Sequence, residues 1–135
     1  MKVLVTGGSG YIGSNTILEI LSNTNWEVIS IDNFSNSHKG IYDKIKKIVN
    51  RDFQTFNINL CNYNDLERIV KLNPDIQGII HFAAYKSVPQ SVSTPLPYYE
   101  NNITSLINVI KVQKNYKIKS LIFSSSCAVY GNIKT

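Results

Sequence analysis

The segment Val3-Leu4-Val5-Thr6-Gly7-Gly8-Ser9-Gly10-Tyr11-Ile12-Gly13-Ser14 constrains this chain more than any other stretch. A β-branched, apolar run breaks into four glycines within seven residues, and Ile12, Ile17, Ile20 and Leu21 then resume at helical spacing. The pattern predicts a strand, a tight turn and a helix. Such a turn needs glycine where the backbone takes positive φ or lies close against another group, because no Cβ intervenes. The amides that open the helix, together with its dipole, favour an anion above them, and the pyrophosphate of a dinucleotide fits that description. Two registers are open: Gly8, Gly10 and Gly13 as G-x-G-x-x-G, or Gly7, Gly10 and Gly13 as G-x-x-G-x-x-G. A P-loop would need lysine where Ser14 stands, so a mononucleotide reading lacks its phosphate-binding cation.

An acid at the right distance supports the dinucleotide. Asp32 ends a second apolar run, Trp26-Glu27-Val28-Ile29-Ser30-Ile31, about 20 residues past Gly13, where the fingerprint places a carboxylate on the adenosine ribose. A carboxylate there accepts hydrogen bonds from ribose hydroxyls and repels a 2′-phosphate, which favours NAD over NADP. Asp-Asn at a strand end also suits a plain turn, so both roles stand open for Asp32.

The remaining strands follow in alternation with helices. Asn33 to His38 is a loop of turn formers, and Ile41, Ile45, Ile48 and Val49 predict a helix closed by Asn50-Arg51-Asp52. A third strand is expected from Phe53 to Leu60. Asn64 is the expected cap of a helix carrying Leu66, Ile69, Val70 and Leu72, ended by Asn73-Pro74. Gly78 to Phe82 reads as a fourth strand buried on both faces, and Ala83 to Thr94 as a loop. Pro95-Leu96-Pro97 starts a long helix whose apolar face is marked by Ile103, Leu106, Ile107 and Ile110, with Val109, Val112 and Tyr116 widening it. That width implies two contacts, one with the sheet and one with something else. A fifth strand, Leu121-Ile122-Phe123, runs into Ser124-Ser125-Ser126. Alternation of this kind predicts a parallel sheet whose ligands bind beyond the carboxyl ends of its strands. The polar groups collect there: the glycine turn, Asp32, Asn59, Lys86 and Ser126.

Composition excludes little but agrees. The chain has 135 residues, 43% hydrophobic and 17% charged, as expected of one globular domain. No apolar run approaches the roughly 20 residues of a membrane span, and Met1-Lys2 leads straight into the first strand, so a cytoplasmic protein without a signal peptide is expected. Cys61 and Cys127, with His38 and His81, have no metal-ligand spacing, and no metal is expected. The net charge of +5 is spread over scattered lysines, the pattern of solvated helix faces and not of a nucleic-acid stripe.

With these residues in hand, the chain resembles the amino-terminal part of the UDP-glucose 4-epimerases, within the extended short-chain dehydrogenases/reductases. The resemblance covers all 135 residues. The glycine turn is its least specific part and Asp32-Asn33-Phe34-Ser35-Asn36-Ser37 more so. The most specific is His81-Phe82-Ala83-Ala84-Tyr85-Lys86-Ser87-Val88, followed by Ser91, Pro95 and Tyr98-Tyr99-Glu100-Asn101-Asn102. The resemblance implies a Rossmann-type parallel sheet with helices on both faces, incomplete at its carboxy-terminal edge. It implies that Gly7, Gly10, Tyr11, Ile12 and Gly13 hold the pyrophosphate of tightly bound NAD, and Asp32, Asn33, Phe34, Ser35, Asn36 and Ser37 its adenosine ribose. Asn59 and Leu60 would flank the adenine; Phe82, Ala83, Ala84, Lys86 and Asn101 would line the cofactor channel. Ser126 would be the catalytic serine on the sugar's 4-hydroxyl, with Lys86 also near the substrate. Without the resemblance, Lys86 reads as a solvated loop lysine and Ser126 as a strand-end serine bonded to backbone. The implied reaction interconverts UDP-glucose and UDP-galactose through a transient 4-keto sugar, in galactose metabolism. A homodimer built on the long helix is implied for the complete protein.

Departures shape the expectation. Asn59 stands where the epimerases usually carry Asp, and Ala84, Pro89, Ser105 and Cys127 replace the commoner Gly, Gly, Gly and Ala. The family's Tyr-x-x-x-Lys pair should fall roughly 25 residues beyond Ser126. Tyr130 has Lys134 four residues on but lies only four residues past Ser126, in a Val129-Tyr130-Gly131 segment that the family also has, and does not read as that pair. Residues 1–135 are therefore expected to be a partial NAD-binding domain, inactive by itself, with its fifth strand an exposed edge. A non-catalytic NAD-binding module, or another NAD-dependent sugar-nucleotide enzyme such as a dehydratase or decarboxylase, are the alternative readings.

Overall fold

Side chains alternate across a strand, so an apolar strand flanked by two others must be covered from both sides. In this computed structural model, which describes residues 1–131 apart from the side chains of Cys127 and Ala128, that requirement sets the layering. On β1 (Lys2–Thr6), Val3 and Val5 join Val28 of β2 (Glu27–Asp32) in a cluster with Ile17 and Leu21 of α1 (Tyr11–Asn23) and Tyr42 and Ile45 of α2 (Gly40–Val49). Leu4 of β1 and Ile29 and Ile31 of β2 point the other way. They pack with Leu66, Ile69 and Val70 of α3 (Tyr63–Leu72), Ile79 of β4 (Ile76–His81), and Val109 and Val112 of α5 (Pro95–Asn115). With β3 (Gln54–Asn57) and β5 (Ser120–Phe123), the strands lie in the order β3-β2-β1-β4-β5, every pair parallel. The direction of winding reverses at β1, because β2 and β3 build outward on one side and β4 and β5 on the other. Such a reversal opens a crevice at the carboxyl ends of the strands.

The expected architecture of a Rossmann-type sheet with helices on both faces is present, and several local expectations need correction. The third strand stops at Asn57 instead of Leu60, because its partner among the described residues, β2, ends at Asp32, which pairs with Asn57. Beyond that point the chain turns, Asn59 Oδ1 accepting from the Cys61 amide at 2.9 Å. The cap of α3 is Asn62, whose side chain accepts from the amide of Asn64, the residue expected in that role. The presumed loop from Ala83 to Thr94 contains a short helix, α4 (Val88–Ser93), with Pro89 in its first turn, where a missing N–H costs nothing. Pro89 is thus accommodated where a glycine is commoner. Ser105, the other such replacement in a helix, is buried in α5 and bonds the Asn102 carbonyl at 3.1 Å.

The faces of the helices differ most from expectation. On α5 the sheet side consists of Ser105, Asn108, Val109 and Val112. Ile103, Ile107 and Ile110 are exposed, and with Leu96 and Tyr99 they form an apolar stripe along the helix. Ile12 on α1 and Ile48 on α2 are likewise exposed. At one edge of the sheet, Ile122 and Phe123 of β5 are exposed over 61% and 48% of their surfaces.

Arg51 ties the layers together at the opposite end of the sheet. Its guanidinium donates to the carbonyls of Leu21 and Thr24, both at 2.6 Å, and of Trp26 at 2.9 Å, closing the turn between α1 and β2.

Candidate functional site

Each glycine of the first turn has a different neighbour, and the differences decide which register faces a ligand. Gly7 has φ +70°, and a Cβ on it would sit 2.7 Å from the Ala83 amide nitrogen. Gly8 is packed from below: its Cβ would meet the Ser30 hydroxyl. A Cβ on Gly13 would collide with the Gly7 carbonyl, so this glycine lets α1 lie against the turn. Gly10 differs from all three, since its Cβ would approach only the Gly7 carbonyl, at 3.3 Å. Packing does not account for glycine here; the space above it does.

Gly10 is also the N-cap of α1, and it supplies no side chain to the orphan amides of the first turn. Tyr11 and Ile12 on that turn are exposed. Undercapped amides at a helix start, with an open approach over Gly10, form a cradle that an anion fits. Gly10, Tyr11 and Ile12 therefore come together as one surface, with half-buried Gly7 and buried Gly13 packed into the turn.

Asp32 lies across this turn. Its Oδ2 accepts from the Ser9 amide at 3.0 Å, and its Oδ1 accepts from the Phe34 amide at 2.8 Å and the Ser37 hydroxyl at 3.2 Å. Both roles left open for Asp32 are thus compatible, because an ionised carboxylate offers about four acceptor directions and three of them hold the loop. Asn33 folds back on the Ser35 amide at 3.1 Å, while Ser35 and Asn36 are exposed. Phe34 adopts φ +57° and its ring packs edge-on against Tyr42, 5.9 Å between centroids. Tyr42 in turn bonds Ser30 at 2.7 Å, and burial pushes its hydroxyl up to about 12.

The other walls rise from α5 and β4. Leu60 is in the core, and its carbonyl and that of Cys61 accept from buried Asn108, at 2.9 and 3.1 Å. Asn59 is exposed beside them. The Asn102 amide brackets Tyr85, accepting from its N–H at 2.8 Å and donating to its carbonyl at 2.9 Å. That bracket fixes the segment in which Phe82 and Ala83 are half-buried and Ala84 and Lys86 exposed. Asn101 is half-buried, 3.7 Å from the Cys61 sulfur through its carbonyl, and burial raises the Cys61 thiol above its usual value. Ser126 follows β5 at the same edge, exposed, its carbonyl accepting from the Val129 amide at 3.3 Å. Underneath, His81 is 1% exposed, bonds the Thr6 hydroxyl through Nδ1 at 2.7 Å and stacks on Phe123. Burial pushes its imidazole down to about 4, so it is neutral at pH 7.

Sequence patterns did not disclose Ser9, Asn102 or Asn108 as organisers of this edge. Their partners are 23, 17 and 48 residues away, beyond any local period. A groove at the other end of the sheet, lined by Lys2, Lys46 and Arg51, is a weaker candidate. Its cations are committed, Lys2 to Glu27 and Asp75, Lys46 to Asp52, and Arg51 to three carbonyls.

Comparison with known proteins finds relatives along the whole chain. A family model described as the NAD dependent epimerase/dehydratase family matches residues 3–135. The UDP-glucose 4-epimerase of Bacillus subtilis is 39% identical over 131 residues, which is 97% of this chain and 38% of that protein. The bifunctional protein GAL10 of Pachysolen tannophilus is 40% identical over 130 residues, 96% of this chain and 19% of its own length. The crystal structure of the UDP-glucose 4-epimerase of Bifidobacterium longum, in complex with NAD+ and UDP, superposes with a TM-score of 0.93 at 37% identity, covering 97% of this chain and 38% of that one. The chain thus spans less than two-fifths of each of these relatives.

Proposed function

Since the chain belongs to the NAD dependent epimerase/dehydratase family, we propose that it is the cofactor-binding part of a UDP-glucose 4-epimerase, an isomerase interconverting UDP-glucose and UDP-galactose. The observation that carries the cofactor is the cradle over Gly10, open above undercapped amides and flanked by Asp32. The substrate rests on the relatives, since an epimerase of similar fold is known with NAD+ and UDP bound.

In this reading the amides of Tyr11, Ile12 and Gly13 bind the pyrophosphate, and the remaining acceptor direction of Asp32 takes a ribose hydroxyl. Asn33, Phe34, Ser35, Asn36 and Ser37 shape the adenosine end, with Asn59 and Leu60 beside the base. Phe82, Ala83, Ala84, Lys86 and Asn101 line the path toward β5, where the Ser126 hydroxyl holds the sugar's 4-hydroxyl in position. Bound there, NAD would accept a hydride from C4 of the sugar and return it to the opposite face. The relatives are more than twice as long as this chain. That further length is where a tyrosine base with its lysine, and a domain gripping the UDP-sugar, would lie in a complete enzyme. The apolar stripe of Ile103, Ile107 and Ile110 fits a homodimer contact of that enzyme. Among the described residues no helix is long and apolar enough to cross a membrane; the cytoplasm is part of this proposed reading.

The test is turnover of UDP-galactose by the complete protein. Appearance of UDP-glucose without added cofactor is the expected result. A complete protein that binds NAD but leaves C4 unchanged would move the reading to a dehydratase, a decarboxylase or a non-catalytic module.

A further inference from the structure

We propose that Ser9 is a positioning residue that sets the preference for an adenosine ribose without a 2′-phosphate; the proposal rests on the NAD reading above. Ser9 does not point at the ribose position itself. It acts on Asp32 twice. Its amide donates to Asp32 Oδ2 at 3.0 Å, and its hydroxyl meets the Ser37 hydroxyl at 2.5 Å. Ser37 has one hydroxyl proton, and that proton goes to Asp32 Oδ1 at 3.2 Å. The Ser37 oxygen therefore accepts, and the Ser9 hydroxyl donates to it. The chain of bonds runs one way, from Ser9 through Ser37 to Asp32.

This direction gives the clasp its function. Both carboxylate oxygens are held from the glycine turn, one directly and one through Ser37, so the rotamer of Asp32 is tied to the surface that would bind the pyrophosphate. Among the described residues, Oδ1 already has two donors, Phe34 and Ser37, whereas Oδ2 has only the Ser9 amide. The free acceptor direction is thus on Oδ2, at a fixed distance from the turn. A hydroxyl can donate to it; a phosphate in the same place can only repel it. Ser9 is buried beneath, so no ligand competes for its hydroxyl. Without that hydroxyl, Ser37 can rotate away, Asp32 gains other rotamers and the charge that rejects a 2′-phosphate is no longer held in place.

The experiment measures dissociation constants for NAD and NADP by calorimetry with the wild-type protein, Ser9→Ala, Ser37→Ala and the double variant. Wild type should prefer NAD, and Ser9→Ala should lower the NAD-to-NADP preference about tenfold, the effect of one lost hydrogen bond. The two changes break one chain, so the double variant should lose little more than Ser37→Ala alone. A purely structural role would weaken both nucleotides equally and leave the ratio unchanged. That outcome overturns the proposal while leaving NAD binding intact; additive losses in the double variant also overturn it. A wild-type protein binding neither nucleotide overturns the cofactor reading and this proposal with it. If Ser9→Ala does not fold, the ratio for Ser37→Ala decides in its place.

Discussion

Acidification should destabilise this protein through one buried imidazole. His81 sits 1% exposed between Thr6 and Phe123, and burial lowers it from 6.5 to about 4. Folding therefore favours the neutral ring, and its contribution is fully present above pH 6.5, where the unfolded chain is neutral too. As the pH falls from 6.5 toward 4, the unfolded chain takes up a proton that the native state refuses, and stability is lost. At about 1.4 kcal/mol per unit, with allowance for partial protonation at each end, the loss between pH 7 and 4.5 is about 2 kcal/mol. The assay is urea unfolding at both pH values for wild type and His81→Asn, which keeps a hydrogen-bonding group beside Thr6 but does not titrate. Asp52, Glu67 and Asp75 are held below their usual values by Lys46, Lys71 and Lys2, so their contributions fade at lower pH and are common to both proteins. The variant should lose about 2 kcal/mol less than wild type over this range. Parallel losses in the two proteins, or a native His81 titrating near 6.5 by NMR, would refute the reasoning.

Four further perturbations separate stability, binding and assembly. Gly13→Ala drives a Cβ into the Gly7 carbonyl and should cost about 1–3 kcal/mol in urea unfolding. Gly10→Ala, at φ −71°, should change stability by less than about 1 kcal/mol yet weaken NAD binding more than tenfold by calorimetry. Arg51→Ala strips three carbonyls of a charged donor and should cost about 2–3 kcal/mol, with Lys at this position recovering only part. Ile107→Glu, in the exposed stripe of α5, should shift the complete protein from dimer to monomer in sedimentation without altering the fold of this domain.

The strand and helix order was legible because four of the five strands carry a short apolar run and each break has a turn former; the third strand, Gln54–Asn57, has only Phe56. Periodicity was less informative about faces. Ile103, Ile107 and Ile110 are at helical spacing, yet the sheet side of α5 uses Ser105 and Asn108, whose polar groups bond the Asn102 and Leu60 carbonyls. Hydrophobicity alone assigns such residues to solvent. At the site, Asp32 and the glycines were legible from spacing, but which glycine faces the ligand was not. That distinction depends on Ala83, in the segment after β4, and on Ser30 of β2, which approach Gly7 and Gly8. The bonds of Ser9 and Asn102 were not legible for the same reason, since each acts on a partner brought near only by the folded sheet.

The most direct test of the central claim is amide hydrogen exchange with and without NAD. The account predicts that NAD slows exchange in two separated segments, Gly10 to Gly13 and Asp32 to Ser37, and that NADP at the same concentration does so far less. Protection elsewhere, or none in the glycine turn, would contradict the claim that this edge binds a dinucleotide.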